Sequence, residues 1–235
     1  MIPEETIVII PAYNEEKLIF KVVTSVKKEH PDIDIVVIND GSEDDTAKLA
    51  AQAGAVVLSH PFNMGYGSAI QTGYKYALRH DYRYLVQIDG DGQHDTRDIG
   101  TLLEYLVNGP YEVILGSRFL ADNRYRSSVF RYAGTIFFRC LLRIFLRERV
   151  TDPTSGFQAM NQRVLRIFAA DSFPCDYPDA DVIILLSRSG IKMKEVPVRM
   201  NVNSEGKSMH GNPLKVIYYL FKMVLSMTLT TLRKY

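Results

Sequence analysis

Residues 84–95 read "YLVQIDGDGQHD". A short apolar run, bounded by turn residues, ends in Asp89-Gly90-Asp91-Gly92-Gln93-His94-Asp95. The run predicts a buried strand, but its end is costly: crowded carboxylates repel one another, and two glycines weaken regular structure around them. A divalent cation is the first candidate to offset that repulsion. Aspartates one residue apart reach a hard cation directly or through water, and Mg²⁺ takes one or two carboxylates with phosphate oxygens rather than a full protein cage.

Four more apolar, β-branched runs lie outward from this one: "TIVIIPAYN" (6–14), "DIVVIND" (34–40), "AVVLSH" (55–60) and "EVILGSR" (112–118). Helical patterns separate the five: "EEKLIFKVVTSVKKE", "DDTAKLAAQAG", "GSAIQTGYKYALRHD" and "DIGTLLEYLVNG". Strands that read as continuous apolar runs, alternating with helices, predict an α/β fold with a mostly parallel sheet covered on both faces. In such folds ligands bind beyond the carboxyl ends of the strands. Each run here ends in polar residues: Asn14-Glu15, Asp40-Gly41-Ser42, His60 with Asn63, Asp89 to Asp91, and Ser117-Arg118. Those ends are expected to share one rim. Ser42 and Asp44 read as helix caps, whereas Asp40, at the edge of the second strand, is placed to accept hydrogen bonds from a ribose or base. Arg118, beside a cluster of acids, either pairs with one of them or awaits an anion.

The chain has 235 residues, 46% of them hydrophobic, which suits one domain with a substantial core. A net charge of +1 gives no global field that would draw nucleic acid. Cys140 and Cys175 show no CxxC spacing and fit a reduced, cytosolic protein. The opening "MIPEETIVIIPAYNEE" lacks the features of a signal peptide. Past residue 120, "SSVFRYAGTIFFRCLLRIFLR" (127–147) places Arg139, Arg143 and Arg147 in one arc opposite Phe137, Leu141, Ile144 and Phe145. The tail "NPLKVIYYLFKMVLSMTLTTLRKY" (212–235) predicts a second amphipathic helix, so the expected division is a catalytic domain over 1–211 and a helix over 212–235. Arginines at a bilayer centre are expensive. Both segments therefore read as helices for an anionic membrane surface, on a cytoplasmic protein peripheral to the inner face of the membrane.

Six motifs in order, "PAYNE", "NDGSEDDT", "NMGYGSAIQTGYKYA", "DGDGQHD", "GSRF" and "DPTSGFQAM", resemble the family 2 inverting glycosyltransferases of the GT-A fold. The similarity is greatest to the polyprenyl-phosphate branch that includes dolichol-phosphate mannose synthases. The resemblance implies that Pro11, Ala12, Tyr13 and Glu15 line the nucleotide pocket with Gly90, and that Asp40 holds the base or ribose. It implies that Asp89 and Asp91 meet Mg²⁺ or Mn²⁺ and the diphosphate, with Gln93 a further ligand. Arg118 and Arg131 would receive an acceptor phosphate, and Asp152, Ser155 and Gly156 would lie near the sugar. Relatives often carry an arginine three residues before the glycine of the acceptor loop; Asn203 stands there in this chain, so Arg199 or Lys207 is the expected substitute. Many relatives also carry C-terminal transmembrane hairpins, whose lack here suggests a separate small membrane protein as partner.

The implied donor is a GDP-, UDP- or dTDP-sugar and the implied acceptor a polyprenyl phosphate, which at neutral pH is already a nucleophilic anion. A glycan or other hydroxyl acceptor would instead need a general base, for which "CDYPDADVIILLSRSG" offers Asp179 and Asp181. A catalytically silent nucleotide-sugar binding module is the alternative from another class; intact Asp89, Asp91 and Arg118 count against it.

Overall fold

The computed structural model describes residues 3–121, 136, 139, 142, 143, 150–174, 178, 180–201, 222 and 224–231. Arg131, Asp179, Lys207, both cysteines and most of 127–147 and 212–235 lie outside the described residues.

The five apolar runs form β1 (Thr6–Ala12), β2 (Asp34–Asn39), β3 (Val56–Ser59), β4 (Tyr84–Gln87) and β5 (Val113–Ser117). Between them run α1 (Ile19–Glu29), α2 (Thr46–Gln52), α3 (Tyr66–Arg79) and α4 (Asp98–Asn108). A short α5 (Arg118–Ala121) follows β5, and later come β6 (Gln158–Asn161), α6 (Gln162–Phe168), α7 (Ala180–Arg188) and β7 (Met193–Pro197). The sheet order is β3-β2-β1-β4-β6-β5-β7. All neighbours are parallel except β6, which runs antiparallel to both β4 and β5. This strand comes from the stretch "QAMN", too short and too polar to read as a strand.

Successive side chains of a strand point to opposite faces, and both faces of this sheet are covered. Ile7 and Ile9 pack with residues of α3, α6 and α7, while Val8 and Ile10 pack with those of α1 and α4. Each such fully buried side chain contributes roughly 1.5–3 kcal/mol. Two-sided burial explains why the strands read as unbroken apolar runs. It also fixes the strand register, so the polar residues after each strand emerge together at one rim.

At that rim the β1 and β2 ends are tied to each other. Asn14, in the left-handed region at φ 54°, accepts from Glu43 N through Oδ1, and its own N–H donates to Ser42 Oγ. Glu15 N donates to Thr46 Oγ1 at 2.8 Å, and Glu16 N donates to Asp44 Oδ2 at 3.2 Å. Ser42 is thus a tie between loops rather than the helix cap its position suggests. Asp44 is both, since it also accepts from Thr46 N at 3.0 Å.

Candidate active site

Beyond β4, a cleft of about 140 Å³ is lined by Asp89, Asp91, Gln93, His94, Arg118, Thr154, Ser155, Gly156 and Met200. The structure therefore brings together the acidic end of β4, the start of α5, the loop before β6 and the segment after β7. Asp91 accepts from Gln93 N at 3.0 Å and from Gln93 Nε2 at 2.5 Å. Gln93 thus faces Asp91 with its amide nitrogen and supports that carboxylate. His94 is buried and stacked on Phe157, with ring centroids 4.9 Å apart. Its Nδ1 accepts from Asp89 N at 3.1 Å, so the ring proton sits on Nε2, which lies 3.8 Å from Asp89 Oδ2. Burial pushes the His94 pKa down to about 4, which keeps the ring neutral.

Burial raises Asp89 above the usual carboxylate range against the opposing pull of the Tyr66 hydroxyl and Arg118. Burial and then the charge of Asp89 raise Asp91. Glu15 is pushed up to about 7, first by burial and then by Asp91, Asp44 and Asp89. Carboxyl groups this close resist ionising together, which is the electrostatic condition that a divalent cation relieves. Among the described residues no cluster of three or more His, Cys, Asp or Glu side chains encloses a metal. Two hard carboxylates in an open cleft fit a cation that takes its remaining ligands from phosphate and water.

Across the cleft, Asp152 grips Arg118. Nε donates to Oδ2 and Nη2 to Oδ1, both at 2.7 Å, and Arg118 N donates to Oδ2 at 3.1 Å. Nη2 also donates to Thr154 Oγ1 at 3.1 Å. Of the two readings open for Arg118, the ion pair is the one seen, on a guanidinium that nonetheless lines the cleft. Asp152 is itself placed by Glu195 of β7, whose two carboxylate oxygens accept from Thr151 N at 2.7 Å and Asp152 N at 2.8 Å. Ser155 turns its hydroxyl to Gly116 O at 2.5 Å and so braces the same loop.

The residues expected on the donor side occupy the tied rim. Pro11 and Ala12 are buried at the end of β1, opposite Ile38 and Asn39 of β2. A side chain on Gly90 would stand 3.1 Å from Pro11 O, so glycine permits this close approach. Tyr13 is 44% exposed. Asp40 is buried and holds a loop: Oδ1 meets His60 Nδ1 at 2.7 Å and Met64 N at 2.9 Å, and Oδ2 accepts from Gly65 N at 2.8 Å. Three donors nearly fill a carboxylate, so Asp40 shapes the 60–65 loop before it could meet any base.

Two other expectations meet different surroundings. Arg199 does not line the cleft. Its N and Nη2 each donate to Asp98 at 2.6 Å and its Nε lies 3.6 Å from Asp95, because its strand-end segment crosses the first turn of α4. Asp181 is fully buried in the first turn of α7 and accepts from Val182 N and the Ser226 hydroxyl, also away from the cleft. Of the arginines expected on one polar face, Arg143 is exposed. Arg139 instead donates to Thr151 O at 2.5 Å and stacks over Phe119 at 4.4 Å. Sequence reasoning missed Tyr66, Gln87, Thr154, Glu195 and Met200. Only Gln87, a lone amide inside the apolar run 84–88, carried a local signal.

A mostly parallel sheet with one antiparallel insertion, and paired acids beyond its central strand, is the GT-A arrangement of nucleotide-sugar transferases. The chain belongs to glycosyl transferase family 2, whose model matches residues 7–169. It is 25% identical over 236 residues to a UDP-N-acetylglucosamine–dolichyl-phosphate N-acetylglucosaminyltransferase of Methanococcus voltae, covering 92% of this chain and 93% of that protein. It is 28% identical over 227 residues to the polyprenol monophosphomannose synthase of Mycolicibacterium smegmatis, covering 90% and 83%. The fold matches that of glucosyl-3-phosphoglycerate synthase from Mycobacterium tuberculosis, solved with Mn²⁺, UDP-glucose and phosphoglyceric acid. The TM-score is 0.68 at 24% identity, over 96% of this chain and 79% of that one. No helix among the described residues is long and apolar enough to cross a membrane.

Proposed function

We propose that this chain transfers a sugar, with inversion, from a nucleotide diphosphate sugar to a polyprenyl phosphate at the cytosolic membrane face. The donor is a GDP-, UDP- or dTDP-sugar, and the acceptor is of the undecaprenyl or dolichyl phosphate type. The observation that carries the acceptor class is the placement of Arg118 and Asp181. Arg118 lines the cleft opposite Asp89 and Asp91, whereas Asp181, a candidate base for a hydroxyl acceptor, is buried against Ser226. A phosphate monoester, with a second pKa of about 6, needs no base at neutral pH. The names of the two lipid-phosphate relatives support the same acceptor.

Asp89 and Asp91 would hold Mg²⁺ or Mn²⁺, with Gln93 orienting Asp91. When bound, the cation offsets the charge that develops on the departing diphosphate. Pro11, Ala12, Tyr13, Glu15, Asp40 and Gly90 form the donor side. Arg118, held in place by Asp152, faces the incoming phosphate on the other, with Ser155 bracing the loop and Arg131 as a second cationic partner. The 127–147 and C-terminal segments would rest on an anionic membrane surface, where a small membrane protein could join them. Incubation with radiolabelled nucleotide sugars and polyprenyl phosphate tests the proposal. Organic-extractable label should form with wild type and with Asp181→Asn, and should fall about 100- to 1,000-fold with Asp91→Asn. A folded Asp181→Asn protein that no longer labels the lipid phosphate would overturn the base-free reading, and a wild type that binds donor but labels no lipid would return the reading to a hydroxyl acceptor.

A further inference from the structure

A buried amide interrupts the apolar strand that leads to the acidic loop. Gln87 is the last residue of β4 and is 2% exposed. A primary amide in that position destabilises the core unless its oxygen and nitrogen both find partners. Both do. The Tyr74 hydroxyl donates to Gln87 Oε1, Gln87 Nε2 donates to the Tyr66 hydroxyl at 2.8 Å, and that hydroxyl donates to Asp89 Oδ1 at 3.0 Å.

The order of these bonds is set from the buried end. Tyr74 is enclosed by Phe168 and Phe173, with ring centroids at 5.2 and 5.7 Å, and burial keeps its hydroxyl protonated, so it donates. A donated bond at Gln87 Oε1 turns Nε2 toward Tyr66. The Tyr66 oxygen accepts there and its proton points to Asp89. Bonds aligned in one sense polarise one another and strengthen the last of them.

Asp89 is hemmed in from other sides too. A Cβ on Gly156 would lie 2.8 Å from Asp89 Oδ2 and 2.9 Å from the Tyr66 hydroxyl oxygen, so a larger residue there would push one of these two side-chain ends out of place. The backbone of Asp89 is fixed by its bond to His94 Nδ1. The carboxylate is thus held in one orientation toward the cleft although it stands in a glycine-rich loop.

We propose that Tyr66 and Gln87 are positioning residues, a one-way hydrogen-bond relay from Tyr74 that preorganises Asp89 for a divalent cation. The proposal rests on the reading of Asp89 and Asp91 as the cation site. A carboxylate already fixed in its binding orientation loses less conformational freedom when the cation arrives, and partners of this kind are worth about 10- to 100-fold in metal affinity.

The test is equilibrium Mn²⁺ binding, followed by electron paramagnetic resonance, with UDP and separately with GDP present. Wild type, Asp91→Asn, Tyr66→Phe and Gln87→Leu are compared, each with its thermal midpoint. The expected result is a 10- to 100-fold rise in the Mn²⁺ dissociation constant for Tyr66→Phe at an unchanged midpoint, with Gln87→Leu moving the same way. Tyr66 is 41% exposed, so its variant keeps the test alive if Gln87→Leu does not fold. If Tyr66→Phe binds Mn²⁺ as wild type does while Asp91→Asn does not, the relay is only structural and the proposal is overturned. If wild type binds no Mn²⁺ with either nucleotide, the cation reading itself falls and takes the proposal with it.

Discussion

Burial of Glu15, reinforced by the charges of Asp91, Asp44 and Asp89, predicts how the metal-free protein responds to pH. Glu15 has a folded pKa of about 7 against a reference of 4.5. A carboxyl raised by folding adds stability below its unfolded pKa and loses that contribution as pH rises through the folded value. In the absence of divalent cations, Glu15→Gln should therefore gain stability relative to wild type between pH 5 and pH 8. Thermal midpoints in a chelating buffer check this, and a difference that stays constant over that range would contradict it. Added Mg²⁺ should shrink the gain in part, because a cation at Asp89 and Asp91 offsets their charges but leaves the burial of Glu15 unchanged.

The elements on the proposed acceptor side work as a chain. β7 supplies Glu195, which seats the loop before β6, which carries Asp152, which grips Arg118 at the start of α5. Asp152 is buried, so Asp152→Ala removes the carboxylate that neutralises the Arg118 guanidinium, at a cost of about 3–5 kcal/mol; denaturant unfolding measures it. Glu195→Gln replaces one acceptor oxygen with an amide donor facing a backbone N–H. It should lower kcat and raise KM for the lipid phosphate while nucleotide binding holds, because the donor rim is built from other elements. Equal losses in nucleotide affinity would show that Glu195 supports the whole fold instead.

How much of this the sequence revealed follows the range of the forces involved. β1 to β5 were legible because burial on both faces demands unbroken apolar runs, and Asp89 and Asp91 because acids at a strand end have no place in a core. β6 was not legible: four residues of mixed polarity become a strand only because β4 and β5 flank them. Glu195 was hidden for the same reason, since the amides it holds are 44 and 43 positions away. Arg199, with Lys207, was expected to replace the acceptor-loop arginine whose place Asn203 takes, yet its carboxylate partner Asp98 lies 101 positions earlier in the chain. Asp181 likewise found Ser226, 45 positions on, rather than the cleft.

For the molecule as a whole, the proposed reaction joins a soluble donor to a lipid acceptor. The described part of the tail, helical over 224–231, turns Met227 and Thr230 inward and exposes Val224, Leu225 and Leu229. With Arg143 exposed and Arg233-Lys234 following residues 224–231 in sequence, the protein should sediment with phosphatidylglycerol vesicles at low salt and less so near 0.5 M, since screening weakens attraction to an anionic surface. Binding that ignores both salt and lipid charge would rule out an electrostatic contribution. The proposed reaction is tested most directly by transfer of radiolabel from a panel of GDP-, UDP- and dTDP-sugars into the organic phase, with undecaprenyl or dolichyl phosphate and Mg²⁺ or Mn²⁺. Organic label is expected from at least one donor, lost with Asp91→Asn. Label that stays aqueous across the panel, despite measurable donor binding, would contradict it.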